Sequence, residues 1–444
     1  NLQQQVDDFS PVKDILMQRY KVEDGDMGKL LKEKESNILK RAKQYGDFMQ
    51  YTGITWSEIC NVLGDDDVAI EFVFSKFDGV YTCSAEVICK NMATPKHIIL
   101  FSIPESEKSS LVAEPGKFSK IAIEKIWSRE LLDFIGDRKN VYFVPDGELY
   151  NIGIEYIPLA NGERMCDKYK MRRLSSTREL VLSKQPSEGH SCYLFGGLNY
   201  NTSLSDMELY AYASSSRGVK SFNFTPDNAV GYASWGYLPG TEQEVNSISG
   251  TLAASGYTVA SFTGNEGVEE TFKALSGSKT KIIHIATHGF YLPNKGDALE
   301  NSGLVFAGAN NFWNAAKGGG EMDFDDGILT AKEISYLNLQ GTDLVVMSAC
   351  QTGLGEVTGE GVFGLQRAFK KAGVQTLLMS LWEVDDEATR IMMSEFYKAL
   401  MQGAGKRDAL EQAQNCVKQH TFIRNGKEVS GNDPYYWAAF VMMD

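Results

Sequence analysis

The chain has 444 residues, 43% of them hydrophobic, so it can bury a full-sized core and is long enough for two or three structural units. Its 44 Lys and Arg against 58 Asp and Glu give a formal charge of −14, the wrong sign for binding nucleic acid through its phosphates. No apolar stretch approaches the ~20 residues that span a bilayer, so we expect no membrane partner.

The cysteine pattern favours a reducing compartment. The seven cysteines are scattered and contain no Cys-x-x-Cys pair, which argues against a disulfide framework and against a thiolate zinc site. We therefore expect a cytoplasmic protein without a structural metal. The chain begins at Asn1 rather than Met, so we also expect it to be a piece of a longer protein whose upstream part carries further domains.

Residues 1–60 are polar and charged, with helical runs, and are predicted to form a helical linker from an upstream region. Residues 61–187 contain short runs rich in β-branched and aromatic residues, such as "VAIEFVF" and "NVYFVP", together with the helical stretch "IEKIWSRELLDFIG". We interpret 61–187 as a first α/β unit. It carries no histidine and cysteine at matching strand ends, so we expect it to be noncatalytic.

Residues 188–444 alternate apolar strands with amphipathic helices, a pattern typical of an α/β fold with a mostly parallel sheet covered on both faces. Thr330 and Glu333 fit a capping box and predict a helix start there. An insertion between Phe290 and Leu329, rich in Gly, Asn and acidic residues, has the composition of a functional lid or a disordered loop.

The stretch "LVVMSACQTGLGE" places Cys350 at the end of a buried strand, before a glycine-bearing loop. Ligands of open α/β sheets bind at the carboxyl ends of the strands, so this position favours a functional thiol. Cysteine also packs as a small hydrophobe, and an inert buried Cys350 is the alternative.

A nucleophilic thiol needs a base, and "KIIHIATHGFY" offers one at the end of another strand. His288 would reach the same edge as Cys350 if the two strands are parallel neighbours. Gly289 allows close approach of a substrate carbonyl, and its N–H can form an oxyanion hole with the N–H of Cys350. His284 lies inside the strand and is predicted to be a hydrogen-bonded core residue.

These segments, with "GEGVFGLQRAFKKAGV", "MSLWEVDDEAT" and "DPYYWAAFVMMD", resemble the CHAT domain, a caspase-like peptidase module usually found after tetratricopeptide repeats in bacteria. The resemblance covers roughly 190 to 444, with weaker likeness from about 50 onward. It implies a caspase-like three-layer sandwich with a noncatalytic amino-terminal lobe and a catalytic lobe over 188–444. It also implies an upstream tetratricopeptide-repeat regulatory region or activator as a partner.

The resemblance implies a cysteine endopeptidase in which His288 is the general base or acid and Cys350 the nucleophile, with Gly289 in the oxyanion hole. Such a reaction requires no cofactor. The segment "LWEVDDEAT" also resembles separase, which suggests that Asp386, or as second choice Asp385, binds a Lys or Arg before the cleaved bond. Acidic residues ahead of a helix also serve as caps, and that structural role is the alternative.

Three functions are compatible with the sequence. The first is an endopeptidase acting on a specific protein through a thioester. The second is a catalytically silent caspase-like interaction module in which Cys350 is only packed, and the third is a hydrolase or acyltransferase that acts on small molecules. The presence of both His288 and Cys350 favours an enzyme, because packing alone requires neither.

Overall fold

The computed structural model describes residues 53–182, 189–214, 234–292, 299–313, 325–348, 356–358, 361–382 and 384–444. The strands within these ranges are, in chain order, β1 (Asp67–Phe77), β2 (Val80–Cys89), β3 (Lys96–Pro104), β4 (Asn140–Val144), β5 (Lys170–Arg173), β6 (Ser191–Leu198), β7 (Thr258–Gly264), β8 (Thr280–Ile285), β9 (Gly289–Tyr291), β10 (Ser302–Val305), β11 (Ile328–Thr330), β12 (Leu344–Met347), β13 (Glu356–Thr358), β14 (Gly361–Phe363), β15 (Thr376–Ser380), β16 (Thr421–Arg424), β17 (Lys427–Ser430) and β18 (Phe440–Met443).

The α-helices of the same ranges vary from one turn to more than four. They are α1 (Trp56–Val62), α2 (Arg129–Ile135), α3 (Met165–Lys168), α4 (Leu204–Ser214), α5 (Pro239–Ala254), α6 (Glu269–Lys273), α7 (Asn310–Trp313), α8 (Ala331–Ile334), α9 (Leu365–Ala372), α10 (Asp386–Met401), α11 (Lys406–Gln419) and α12 (Pro434–Trp437). Short 3-10 turns cover Glu105–Leu111, Gly147–Asn151, Ile154–Tyr156 and Thr177–Leu180, and a π-turn covers Ala122–Ile126. None of the helices in the described part of the chain combines the length and the apolar composition that a membrane span requires.

A large sheet passes through the whole molecule. In the described residues it has eleven strands in the order β3-β2-β1-β4-β5-β18-β15-β12-β8-β6-β7. From β1 to β7 all neighbouring strands are parallel except β18 and β15, whereas β3, β2 and β1 form an antiparallel meander. The predicted α/β fold with a mostly parallel sheet is confirmed.

The central strands are buried on both faces. All four residues of β12 and all five of β15 are buried, as expected for parallel strands whose side chains contact helices on either side. Helix α10 packs against both α5 and α11, and α8 packs against α9. The result is the three-layer, caspase-like sandwich that the resemblance implies.

The last strand joins the two predicted lobes. β18 lies between β5 and β15, parallel to the first and antiparallel to the second. Next to it, Arg407 forms an ion pair of 2.7 Å with Asp444 and donates hydrogen bonds to the carbonyls of Met171 and Arg173. Strands from both 61–187 and 188–444 therefore lie in one sheet, and the boundary between these ranges stays a prediction.

The insertion between Phe290 and Leu329 contains regular structure. β9, β10 and β11 form a separate antiparallel sheet, and α7 follows β10. At its end, the side chain of Thr330 accepts from the N–H of Glu333 while the Glu333 carboxylate accepts from the N–H of Thr330, which is the predicted capping box. Residues 293–298 and 314–324 of this insertion lie outside the described ranges.

Candidate active site

The carboxyl ends of β8 and β12 lie side by side. The strands are parallel, and Met347 pairs in register with Ile285. Beyond this pair, the N–H of Ser348 donates a hydrogen bond of 2.9 Å to the carbonyl of Ile285. In the sequence, His288 and Cys350 each follow their registered strand residue by three positions. The two strands thus lead to both predicted residues from one edge of the sheet, although Cys350 itself lies outside the described residues.

The imidazole of His288 is held through one of its nitrogens. Its Nε2 lies 2.7 Å from the carbonyl oxygen of Gly236. A carbonyl oxygen can only accept a hydrogen bond, so Nε2 must carry the proton. In the neutral ring the lone pair is then on Nδ1, which is the nitrogen that can accept a proton.

Two aromatic rings lie against the half-buried imidazole of His288. The ring centroids of Tyr200 and Trp235 are 5.0 and 5.1 Å from that of His288. Each ring is itself fixed: the hydroxyl of Tyr200 is hydrogen bonded to Thr287 at 2.9 Å, and Trp235 packs edge-on against Trp313 at 5.0 Å. The orientation of the imidazole is therefore restricted by packing as well as by the hydrogen bond to Gly236.

Gly289 is the first residue of β9, opposite Leu304 of β10. The neighbouring N–H of Val305 donates to the carbonyl of His288, which makes His288 and Val305 a hydrogen-bonded pair. Such pairs alternate along an antiparallel ladder, so the N–H of Gly289 faces away from β10. The N–H of Gly289 therefore points to the outer edge of the small sheet, away from β10. An N–H that donates to an oxyanion must point away from its own sheet in this way.

His284 has the predicted place in the core. The ring is fully buried, with Nδ1 3.2 Å from the hydroxyl of Tyr397 and Nε2 2.9 Å from a carboxylate oxygen of Glu244. Burial raises the pKa of Tyr397 well above its ordinary value, so this hydroxyl stays protonated and can donate to an acceptor. His284 is therefore part of a buried polar cluster and is not accessible to a substrate.

The two aspartates of "LWEVDDEAT" have different surroundings. Asp385 caps α10 by accepting from the N–H of Ala388, and its carboxylate also accepts two hydrogen bonds from the guanidinium of Arg424. The same guanidinium donates to Glu387 at 2.9 Å. Asp386, the first residue of α10, is exposed. Asp385 is therefore the residue that caps α10, whereas the side chain of Asp386 is exposed to solvent.

Sequence reasoning missed the residues that surround His288. Gly236 contributes only a backbone carbonyl, and Trp235 and Tyr200 are separated from His288 by 53 and 88 positions along the chain. The one local signal is the turn-forming "GYLPG" that follows Trp235. It indicates a turn but does not indicate what the turn contacts.

A second cluster of polar side chains is buried around Lys273. The carboxylate oxygens of Glu269, Asp325 and Glu333 lie within 4.8 Å of one another, a spacing that could hold a metal ion. The ammonium of Lys273 lies 2.6, 2.9 and 2.8 Å from these three carboxylates. The lysine thus occupies the centre of the cluster and supplies the cation that the carboxylates need.

The charges of this cluster do not balance, because one ammonium faces three carboxylates. Burial alone would lower the pKa of Lys273, but Glu269, Glu333 and Asp325 outweigh it and raise that pKa, so the lysine is charged. Burial also raises the pKa of Glu269 well above its ordinary value, against the attraction of Lys273. Burial and the excess of carboxylates over ammonium groups thus favour proton binding by Glu269, whereas Lys273 favours its charged form.

Glu270, beside this cluster, makes stability depend on pH. Burial, together with the carboxylate of Asp325, raises the pKa of Glu270 from 4.5 to about 7. The folded state then binds this proton more tightly than the unfolded state, so the free energy of unfolding falls as the pH rises from about 4.5 to about 7. Above about pH 7 Glu270 is charged in the folded state, and the free energy of unfolding has lost the full contribution of this group.

We expect Glu270→Gln to be more stable than the wild type by about 1–3 kcal/mol at pH 8, and by less than about 1 kcal/mol at pH 5. Glutamine carries no charge and keeps an oxygen that can accept from the N–H of Asp325, as Glu270 does at 2.6 Å. Urea denaturation at both pH values measures this difference. The exposed Glu411→Gln is the matched control, and an equal change in both variants would contradict the assignment.

The family model described as "CHAT domain" matches residues 122–444. Human Tetratricopeptide repeat protein 28 is 33% identical over 116 residues, which make up 26% of this chain and 4% of that protein. Its counterpart from Mus musculus is 32% identical over the same length. The match thus spans a small part of these curated relatives.

Two solved structures are similar at low sequence identity. The Arg-specific cysteine proteinase gingipain R is 10% identical, with 69% of this chain and 63% of that chain covered and a TM-score of 0.37. The separase of the Saccharomyces cerevisiae separase–securin complex is 12% identical, with 68% of this chain and 15% of that chain covered and a TM-score of 0.37.

Proposed function

Because the chain belongs to the CHAT domain family, we propose that it is a cysteine endopeptidase that hydrolyses peptide bonds of a protein substrate. The observation that carries the proposal is the register of β8 and β12, whose ends lead into His288 and Cys350. The protonated Nε2 of His288 supports it, since the base is held in one tautomer.

In the proposed reaction, the Cys350 thiolate attacks the carbonyl carbon of the cleaved bond and forms a tetrahedral intermediate. The N–H groups of Gly289 and Cys350 stabilise its oxyanion. Nδ1 of His288 takes the proton of the Cys350 thiol and gives it to the leaving amine as the C–N bond breaks, which yields a thioester. It then removes a proton from the water that attacks the thioester, and this proton returns to the Cys350 sulfur when the C–S bond breaks and the carboxylic acid product leaves. These steps use only side chains, backbone donors and water.

We propose that Asp386 selects a Lys or Arg before the cleaved bond. Its carboxylate is exposed at the start of α10, and a side chain at Gly240, in the first turn of α5, would lie 3.7 Å from it. The carboxylate therefore lies beside a position without a side chain, where a long basic residue has room. Asp385 is the weaker candidate, because Arg424 already pairs with it.

We expect Asp386→Asn to lower kcat/KM for peptides with Lys or Arg at this position by about 10–100-fold, the effect of losing a charge-assisted hydrogen bond. Peptides with a neutral residue there should change little. Asp408→Asn, an exposed aspartate in the first turn of α11, is the matched control. Equal kcat/KM for basic and neutral peptides in the wild type would remove the specificity proposal and leave the peptidase proposal untouched.

We also propose that an upstream repeat region regulates this chain and that the chain is cytoplasmic. The relatives bear the name Tetratricopeptide repeat protein, which supports an upstream repeat region that regulates this chain. The six described cysteines are free thiols, which supports a reducing, cytoplasmic setting.

Digestion of a diverse peptide library, read by mass spectrometry for the wild type and Cys350→Ala, tests the proposed activity. We expect cuts that appear only with the wild type and that follow Lys or Arg. The same cuts with both proteins would point to a contaminant. An absence of cuts with the wild type would contradict peptidase activity of this chain and favour the silent interaction module.

A further inference from the structure

The first residue of α7, Asn310, is a buried polar side chain that faces the surroundings of His288. It is 7% exposed, and its amide Nδ2 and Oδ1 both contact the backbone of Trp235. The N–H of Trp235 donates to Oδ1 at 2.8 Å, and Nδ2 donates to the carbonyl of Trp235 at 3.0 Å. The side chain thus pairs with Trp235 as a neighbouring strand would.

The same residue also fixes the second ring beside the base. The backbone N–H of Asn310 donates to the carbonyl of Tyr200 at 3.0 Å, and Nδ2 donates to the side-chain oxygen of Asn201 at 2.9 Å. Tyr200 and Trp235 are the two residues whose rings lie against His288. One asparagine therefore ties together the two segments that hold the imidazole.

The hydrogen bond to the base follows directly from this arrangement. Gly236, whose carbonyl accepts from Nε2 of His288, is covalently joined to Trp235. The Trp235 carbonyl, to which Nδ2 donates, belongs to the peptide group between these two residues. This peptide group is planar and includes the backbone nitrogen of Gly236. Because Asn310 fixes the peptide group, it also restricts where the carbonyl of Gly236 lies relative to the imidazole of His288.

We propose that Asn310 is a positioning residue that keeps His288 in the Nε2–H tautomer by holding the Gly236 carbonyl against it. The inference rests on the proposed peptidase function for its effect on turnover, but not for its effect on the imidazole. Neither Asp nor Ala can replace the amide: aspartate lacks the donor for the Trp235 carbonyl, and alanine lacks both donor and acceptor. The first part of the insertion thus supports the base.

Selective ¹⁵N labelling of the histidines tests the effect on the imidazole without any substrate. In the wild type we expect His288, assigned by comparison with His288→Gln, to show the nitrogen shifts of the Nε2–H tautomer. In Asn310→Ala and Asn310→Asp we expect a mixture of tautomers. Asn311→Ala is the matched control, because the side chain of this exposed neighbour donates to the carbonyl of Thr202 and not to that of Trp235.

Kinetics supply the second readout. We expect kcat to fall by about 10–100-fold in both Asn310 variants while KM stays within about twofold, since a displaced base slows the chemical steps more than binding. Far-UV circular dichroism verifies that each variant is folded, and the isosteric Asn310→Asp serves if Asn310→Ala does not fold. An unchanged Nε2–H tautomer in a folded Asn310 variant would overturn the proposal. If the wild type cleaves nothing, the proposed function fails while the nitrogen shifts still decide the role of Asn310.

Discussion

Replacing His288 with alanine is expected to lower kcat/KM for any cleaved peptide by about 10²–10⁴-fold, the range that general acid–base catalysis contributes. The expectation follows from the position of the ring at the end of β8, beside the strand that leads to Cys350. Without the imidazole, the leaving amine has no proton donor and the thiol has no base. Initial rates with a peptide found in the library digestion measure the effect.

His97→Ala is the control for this variant. His97 lies in β3, is half exposed and pairs with Glu86, far along the sheet from β8. Its replacement should leave kcat/KM within about twofold, because it affects only a surface pair. If His288→Ala kept more than a tenth of the wild-type kcat/KM, His288 would not be the catalytic base.

Replacing Lys273 with methionine is expected to lower the free energy of unfolding by about 3–5 kcal/mol at pH 7.5, because it leaves buried carboxylates without their cation. Methionine fills a similar volume, so the loss reports charge rather than a cavity. Glu269, Asp325 and Glu333 would then share one buried site with no opposite charge. The loss should be smaller at pH 5, where more of these carboxyl groups bind protons.

Urea denaturation measures this loss, with Lys398→Met as the control. Lys398 pairs with Glu395 on the surface, and its side chain is 54% exposed, so its replacement should cost less than about 1 kcal/mol. Adding Glu269→Gln to Lys273→Met should restore part of the stability, because it removes one of the unpaired charges. Equal losses in Lys273→Met and Lys398→Met would show that the cluster does not depend on the lysine.

Much of the fold could be predicted because its signals are local. β12 reads as an unbroken apolar run, and the helix start at Thr330 is marked by a glutamate three residues later. β5 carries no such signal, since "KMRR" is polar. It nevertheless lies inside the sheet between β4 and β18, where the fully buried Arg173 forms an ion pair of 2.7 Å with Glu155. A pairing across 18 positions is not visible in a hydrophobic pattern.

The candidate site likewise contains residues that have a local sequence signal and residues that have none. The positions of His288 and Gly289 beyond the end of β8 could be predicted because residue type, strand pattern and resemblance agree, while their catalytic roles stay predictions. Gly236 could not, because it acts through a backbone carbonyl that any residue possesses. Asn310 could not be predicted for another reason, because it belongs to a segment whose composition is typical of a lid or a disordered loop. In the structure it begins a short helix and is buried.

The proposed thiol can be tested with a peptidyl acyloxymethyl ketone that carries Lys or Arg at the position before the cleaved bond. Such a compound reacts with a thiolate only where a substrate binds, and peptide mapping by mass spectrometry locates the adduct among the seven cysteines. We expect one adduct per chain, on Cys350, and none in His288→Ala over the same time. An unmodified Cys350, or label spread over other cysteines such as the exposed Cys416, would contradict the assignment of Cys350 as the nucleophile.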